Sequence, residues 1–214
     1  MGLFFKQKQF LIGWIMALSA LSPGILSADP ESTASPEQKI SKGIFLIADS
    51  RLNDPNFRES VILIMRHGTD GSIGIIINRP TTQSLATLLP ALPLHEKSSD
   101  TVFMGGPVSR SVLSWLLHTE RPLQGMEEVF GSLYFSINAR PPDPLLKESK
   151  QFRAYAGYAG WAPGQLQAEI SRGDWRLLPG DASIIFQNDP ETIWPELFRR
   201  SQQRSVMRSL KKSG

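Results

Sequence analysis

The chain has 214 residues, 41% of them hydrophobic and 20% charged; this length suits one domain or two small ones, and whole-chain disorder is excluded. There is no cysteine, which excludes disulfides, thiolate zinc sites, iron–sulfur clusters and thiol catalysis. All 20 acidic residues lie between positions 29 and 196, whereas both ends carry only bases, so the pI of about 9.3 reports the ends and the net-negative body offers no broad nucleic-acid surface.

Met1–Lys8 is short and basic, Phe10–Leu21 is densely apolar, Pro23-Gly24 breaks the run, and Ser27-Ala28 offers small residues before Asp29. This is the order of a secretory signal. Twelve strongly apolar residues fall short of the roughly 20 that span a bilayer, so cleavage is favoured over an uncleaved anchor. The expected location is therefore the periplasm or cell envelope. Asp29–Lys42 has two prolines and no aromatic residue and reads as a flexible linker. The folded body is expected over residues 43–198, followed by a basic tail, 199–214.

Gly43–Ala48, Ser60–Met65 and Ile73–Asn78 are short apolar runs rich in β-branched residues, which predicts three largely buried strands, the last two joined by a hairpin at Gly68–Gly71. Further strands are expected at Thr101–Met104, Val112–His118, Ser132–Ile137, Phe152–Tyr158 and Ser183–Phe186. Thr82–Leu89 and Gly164–Arg172 read as helices, the second with Gly173 as its stop and with Gln165, Gln167 and Glu169 facing out. Glu191–Leu210 reads as a terminal helix, with Pro195 tolerated only in its first turn. Consecutive strands joined by hairpins are not the strand–helix alternation of a doubly wound sheet. The expected fold is α+β: a single compact domain with a mainly antiparallel or mixed sheet flanked by a few helices.

No phosphate-binding glycine loop, no nucleophile elbow and no paired-histidine motif occurs, and His67, His95 and His118 are far apart in sequence. No cofactor or metal is implied. What remains are glycine-rich or polar turns at strand ends. Asn78-Arg79-Pro80 is either turn chemistry or an amide and a guanidinium able to grip a carboxylate or phosphate. Gly105-Gly106-Pro107 lets backbone approach another strand or an anion. His118 ends a strand, and Gln165 projects from a first helical turn, where an anion is at home. Asn78, Arg79, Gly105, Gly106, Pro107, His118 and Gln165 are the candidate ligand-binding residues. The three strand-end turns are expected on one face of the domain.

The spacing of Gly43–Ala48, Asp54-Pro55, Phe57, Ser60-Val61, Gly74–Pro80, Gly105–Val108, Leu117-His118 and Gly157–Leu166, with Glu169 and Trp175, resembles the YqgE/AlgH family over residues 43–198. The resemblance implies a compact α+β domain and no particular reaction. It also brings a transcriptional-regulator label and a cytoplasmic setting, whereas nothing here reads as a DNA-contacting element and the N-terminus reads as exported. Departures from the family pattern are Ser50 where proline is common, the connection around Ala139–Lys150, and the basic tail.

The leading functional expectation is a non-enzymatic module that binds a small anionic ligand or a protein partner. An enzyme is the second class, if His118, Asp54 and Asn78 share one pocket. The tail gives a third: Arg200, Arg204, Arg208 and Lys212 recur every four residues, a stripe suited to an anionic membrane surface, weighed against a solvated terminus.

Overall fold

β-Branched runs and hairpin chemistry dominate the outcome. In the computed structural model β1 (Ile44–Ala48), β2 (Val61–Gly68) and β3 (Gly71–Ile76) form an antiparallel meander. Gly68 pairs with Gly71 around Thr69-Asp70, as the Asp-Gly chemistry predicts. The model describes residues 39–90, 101–120, 124–137 and 151–212, with side chains through Met207. The expected signal, most of the linker, His95 and the altered connection at 139–150 lie outside the described residues.

Along the path of hydrogen-bonded strands the order is β10-β1-β2-β3-β9-β6-β8-β7. The remaining strands on that path are β6 (Val108–His118), β7 (Glu127–Phe130), β8 (Leu133–Ile137), β9 (Gln151–Trp161) and β10 (Trp175–Pro179). β4 (Pro80–Ser84) pairs with β5 (Thr101–Met104), and β5 lies parallel to β9; all other pairings are antiparallel. Residues 38–214 form one unit. The expected α+β fold with a mainly antiparallel sheet is the fold observed.

β9 joins the two halves. Its C-terminal end pairs with β3 and the rest pairs with β5 and β6. Between them lies Gly157, at φ +73°, where a Cβ would stand 2.6 Å from the Gly106 carbonyl. Only glycine suits both the backbone angle and the approach.

Both faces of the β1–β3 half are covered. Phe45, Ile47, Val61, Leu63 and Ile75 face a core closed by Ile184, Ile185, Ile193 and Leu197 from α3 (Ala182–Gln187) and α4 (Pro190–Lys212). Leu46, Ile62, Ile64 and Ile76 face a second core with Trp161, Trp175 and Leu166 of α2 (Gln165–Arg172). The period-2 alternation is thus apolar on both sides, which is why these strands read as continuous hydrophobic runs. A third cluster packs Leu85 of α1 (Leu85–Leu88) against Val102, Trp115, Leu117, Phe152 and Ala154.

Four expectations are corrected. Residues 183–186 are helical in α3, because Asp181 accepts from the Ser183 N–H as an N-cap and starts a helix at a short apolar run whose period is ambiguous. The helix expected over Thr82–Leu89 begins only at Leu85; the residues before it join β4, where the Thr81 hydroxyl donates to the Val102 carbonyl. Pro195 lies in the second turn of α4, where burial of Ile193 and Leu197 and a bond from the Trp194 indole to the Ala48 carbonyl anchor the helix against the lost backbone bond. Strands β4, β7 and β10 were not anticipated.

Candidate functional site

The turn after β3 is built to hold the loop before β2. The Asn78 side chain accepts from the Val61 N–H at 2.8 Å and donates to the Glu59 carbonyl at 3.0 Å. Arg79 donates to the carbonyls of Asn56 and Arg58, the latter at 2.7 Å. Asp54 orders the same loop by accepting from the Asn56 N–H, and Glu59 adopts a positive φ of 54°. Turn chemistry therefore accounts for the Asn78 amide in full and for part of the Arg79 guanidinium.

Arg79 is half-buried and makes no ion pair among the described residues. Burial, and then the nearby Arg58 charge, lower its pKa from the ordinary arginine value, while Asp54 and Glu59 oppose this. It stays cationic at any physiological pH. It borders a groove of about 370 Å³ with Pro55, Arg58, Glu59, Glu191 and Trp194.

Gly105 and Gly106 take the strand-packing alternative. A Cβ on Gly105 would stand 2.3 Å from the Gly157 carbonyl, and one on Gly106 would stand 2.2 Å from the Tyr158 carbonyl. Gly105 donates to the Ala156 carbonyl and accepts from Ile76, so its backbone is used in joining β3 to β9. Pro107 follows directly and leads into β6. The Arg79 carbonyl accepts from the Met104 N–H, so the Asn78-Arg79 turn and the Gly105–Pro107 turn are neighbours.

His118 is not in that neighbourhood. It pairs with Gln151, whereas Gly105 meets Ala156, five residues along β9 and about 17 Å away. Its Nδ1 shares a 2.9 Å hydrogen bond with the Gln151 Oε1, and its ring stacks on Phe186. Of the three turns expected on one face, two adjoin and the third, at His118, ends β6 at the other extreme from Pro107. Asp54 joins Asn78 and Arg79, and the groove that these two border does not include His118. Gln165 also turns inward on its own loop, accepting from the Ala162 N–H at 3.1 Å and donating to Glu169 at 3.0 Å.

Glu169 was expected to face out. Its Oε2 accepts from the indole N–H of Trp161 at 2.8 Å and of Trp175 at 2.9 Å, and Phe57 packs on both rings. Trp161 and Trp175 are 6% and 4% exposed, so this aromatic group is core. Gly157–Leu166, Glu169 and Trp175 thus form a structural unit that ties α2 to the sheet.

Two buried polar groups escaped the sequence reading. Asp49 is 3% exposed and accepts from Arg51 at 2.8 Å and from Arg176 at 2.9 Å. Burial pushes its carboxyl up, but the bonds from Arg51 and Arg176 outweigh this and hold it below the usual carboxylate range. Arg153 is 6% exposed within an otherwise apolar strand, two positions from the fully buried Tyr155. A lone charge inside Phe152–Tyr158 was the available signal. Among the described residues no group of three or more His, Asp or Glu is arranged to hold a metal, and no helix is long and apolar enough to cross a membrane.

Comparison with known proteins places this framework. The AlgH-like family model matches residues 45–205. A UPF0301 protein of Streptomyces coelicolor is 36% identical over 169 residues, covering 75% of this chain and 86% of that one. A UPF0301 protein of Mycobacterium tuberculosis is 34% identical over 178 residues, covering 80% and 88%. The crystal structure of protein DIP2367 from Corynebacterium diphtheriae shares the fold, with a TM-score of 0.66 at 22% identity over 78% of this chain and 90% of that one. The solution structure of the AlgH protein from Pseudomonas aeruginosa gives a TM-score of 0.57 at 31% identity, covering 70% and 82%. The fold described above is therefore shared with these proteins, and the chain belongs to the AlgH-like family.

Proposed function

We propose that this protein is a non-enzymatic binding module whose groove beside the β3–β4 turn takes the anionic group of a small ligand or of a partner protein. One observation carries the reading: Arg79 is half-buried, is held by loop carbonyls instead of a carboxylate, and stands beside the exposed Arg58 at a groove of about 370 Å³. A desolvated guanidinium positioned without an acidic partner favours an incoming carboxylate or phosphate. Glu59 and Glu191 on the rim would select against ligands of high negative charge. The N-terminal signal supports action in the cell envelope.

The test is NMR titration of the full chain with acetate, succinate and inorganic phosphate at low salt. Saturable shifts at Arg58, Arg79 and Trp194 are expected. Arg58→Gln should weaken them about tenfold without changing the thermal midpoint, since only the Arg58 backbone is used by the fold. Absence of saturable shifts at this groove with every anion would overturn the reading.

A further inference from the structure

A second polar site lies inside the protein, on residues separate from the groove. Alternation along β9 puts Arg153 and Tyr155 on one face, and the register sets Phe103 of β5 opposite Tyr155. The Arg153 guanidinium lies 4.5 Å from the centre of the Phe103 ring. Its guanidinium donates to the Ile77 carbonyl at 3.5 Å, beyond the 2.7–3.2 Å of a good N–H···O bond, and also interacts with the Tyr155 phenol oxygen. No carboxylate pairs with it among the described residues. Among the described residues the buried Tyr155 hydroxyl finds no acceptor for its own proton. Burial pushes the Tyr155 pKa up to about 12, with Arg153 opposing, so the hydroxyl is protonated and remains a donor.

Burying guanidinium N–H groups and a hydroxyl proton with too few acceptors lowers stability unless something supplies them. The Phe103 ring supplies a cation–π contact to the guanidinium but no oxygen acceptor for its N–H groups. The set therefore holds more donors than acceptors: the guanidinium N–H groups and the Tyr155 O–H, on one face of one strand, against the Ile77 carbonyl and the phenol oxygen. Its chemical complement is a planar or tetrahedral group of negatively charged oxygens.

We propose that Arg153 and Tyr155 are an internal receptor for one oxyanion group, a carboxylate or a phosphate. The guanidinium donates to two of its oxygens and the Tyr155 hydroxyl to one. Binding at this depth couples occupancy to stability, because the anion relieves a burial cost that the free protein bears.

Thermal unfolding of the full chain, titrated separately with sodium acetate and sodium phosphate at ionic strength held with sodium chloride, tests this. The wild-type midpoint should rise saturably with one or both anions, and the responding anion assigns the oxyanion to a carboxylate or a phosphate. Tyr155→Phe removes an unpartnered hydroxyl, so its midpoint without added oxyanion should equal or exceed wild type, while its apparent affinity falls roughly tenfold. Arg153→Gln should reduce the rise to what binding at the surface groove alone gives, and in the Arg58→Gln background should abolish it. Arg58→Gln alone, which alters only the surface groove, should keep the rise. If Arg153→Gln does not fold, Tyr155→Phe decides. No saturable rise in wild type, which leaves ordered water as the partner of these donors, overturns the proposal. So does the same rise in wild type and Tyr155→Phe.

Discussion

Asp49 shows how much of this fold rests on single polar residues set into apolar surroundings. It ends the β1 run, accepts from Arg51 and Arg176 at once, and Arg176 in turn lies 5.0 Å from the centre of the Phe198 ring. Its folded pKa is depressed below the ordinary 3.8, so the stability it contributes is complete above that value and is lost as pH falls through the lower, folded value. Asp49→Asn is expected to lower stability by about 2 kcal/mol at pH 7, less than a fully buried pair would cost because Arg51 is exposed. The loss should shrink as pH falls from 5 to 2.5 in urea unfolding series. The sequence offered Asp49 only as the residue after an apolar run. Its partners are 2 and 127 positions away, and the distant one arrives through β10, a strand the sequence did not reveal. Asn78 was more legible: a polar residue closing an apolar strand predicts a turn cap, and a cap is what forms.

At the scale of elements, legibility follows how local the deciding interaction is. The β1–β3 meander, α2 and its glycine stop are written in adjacent residues and emerge within three residues of expectation. β10 is held by long-range pairing with β1; β7 pairs locally with β8, but its Glu127-Glu128 start carries little strand signal. α3 turned on a cap that a four-residue apolar run conceals. Gly106 tests the junction between elements. Its φ of +157° and a Cβ position 2.2 Å from the Tyr158 backbone leave no room for a side chain where β3, β5 and β9 converge. Gly106→Ala is expected to cost at least ~3 kcal/mol, since backbone and not a flexible side chain must move. Its midpoint in guanidinium, compared with Gly125→Ala, whose Cβ meets nothing within 4 Å, checks this. Gly125, at φ +82°, reports backbone strain alone.

The charge of the whole molecule is divided as its sequence is, and α4 carries the basic end as one helix through Lys212. Arg200 and Arg204 border a groove of about 570 Å³ with Leu197 and Met207, and Val206 and Met207 are 60% and 66% exposed. Exposed apolar side chains beside arginines suit an anionic bilayer, with Arg208 and Lys212 continuing the stripe by sequence. The full chain is expected to co-sediment with phosphatidylserine vesicles at low salt and to release as salt rises. A chain ending at Phe198 should bind at least tenfold more weakly; equal binding would leave α4 without this role.

The seating of β1 between β2 and β10 has a consequence for biosynthesis. β1 leaves the ribosome early, yet one of its two hydrogen-bonded edges stays open until β10, Trp175–Pro179, has been made. Arg176, the Trp175 indole and the helix that covers Phe45 and Ile47 arrive in the same late stretch. Vectorial synthesis therefore cannot complete this core until the chain is nearly finished, and the nascent protein stays threadable for most of its length. A polypeptide that must pass a narrow conduit unfolded is served by that delay, and an early-synthesised edge left open for so long calls for a holdase to shield it from other strands.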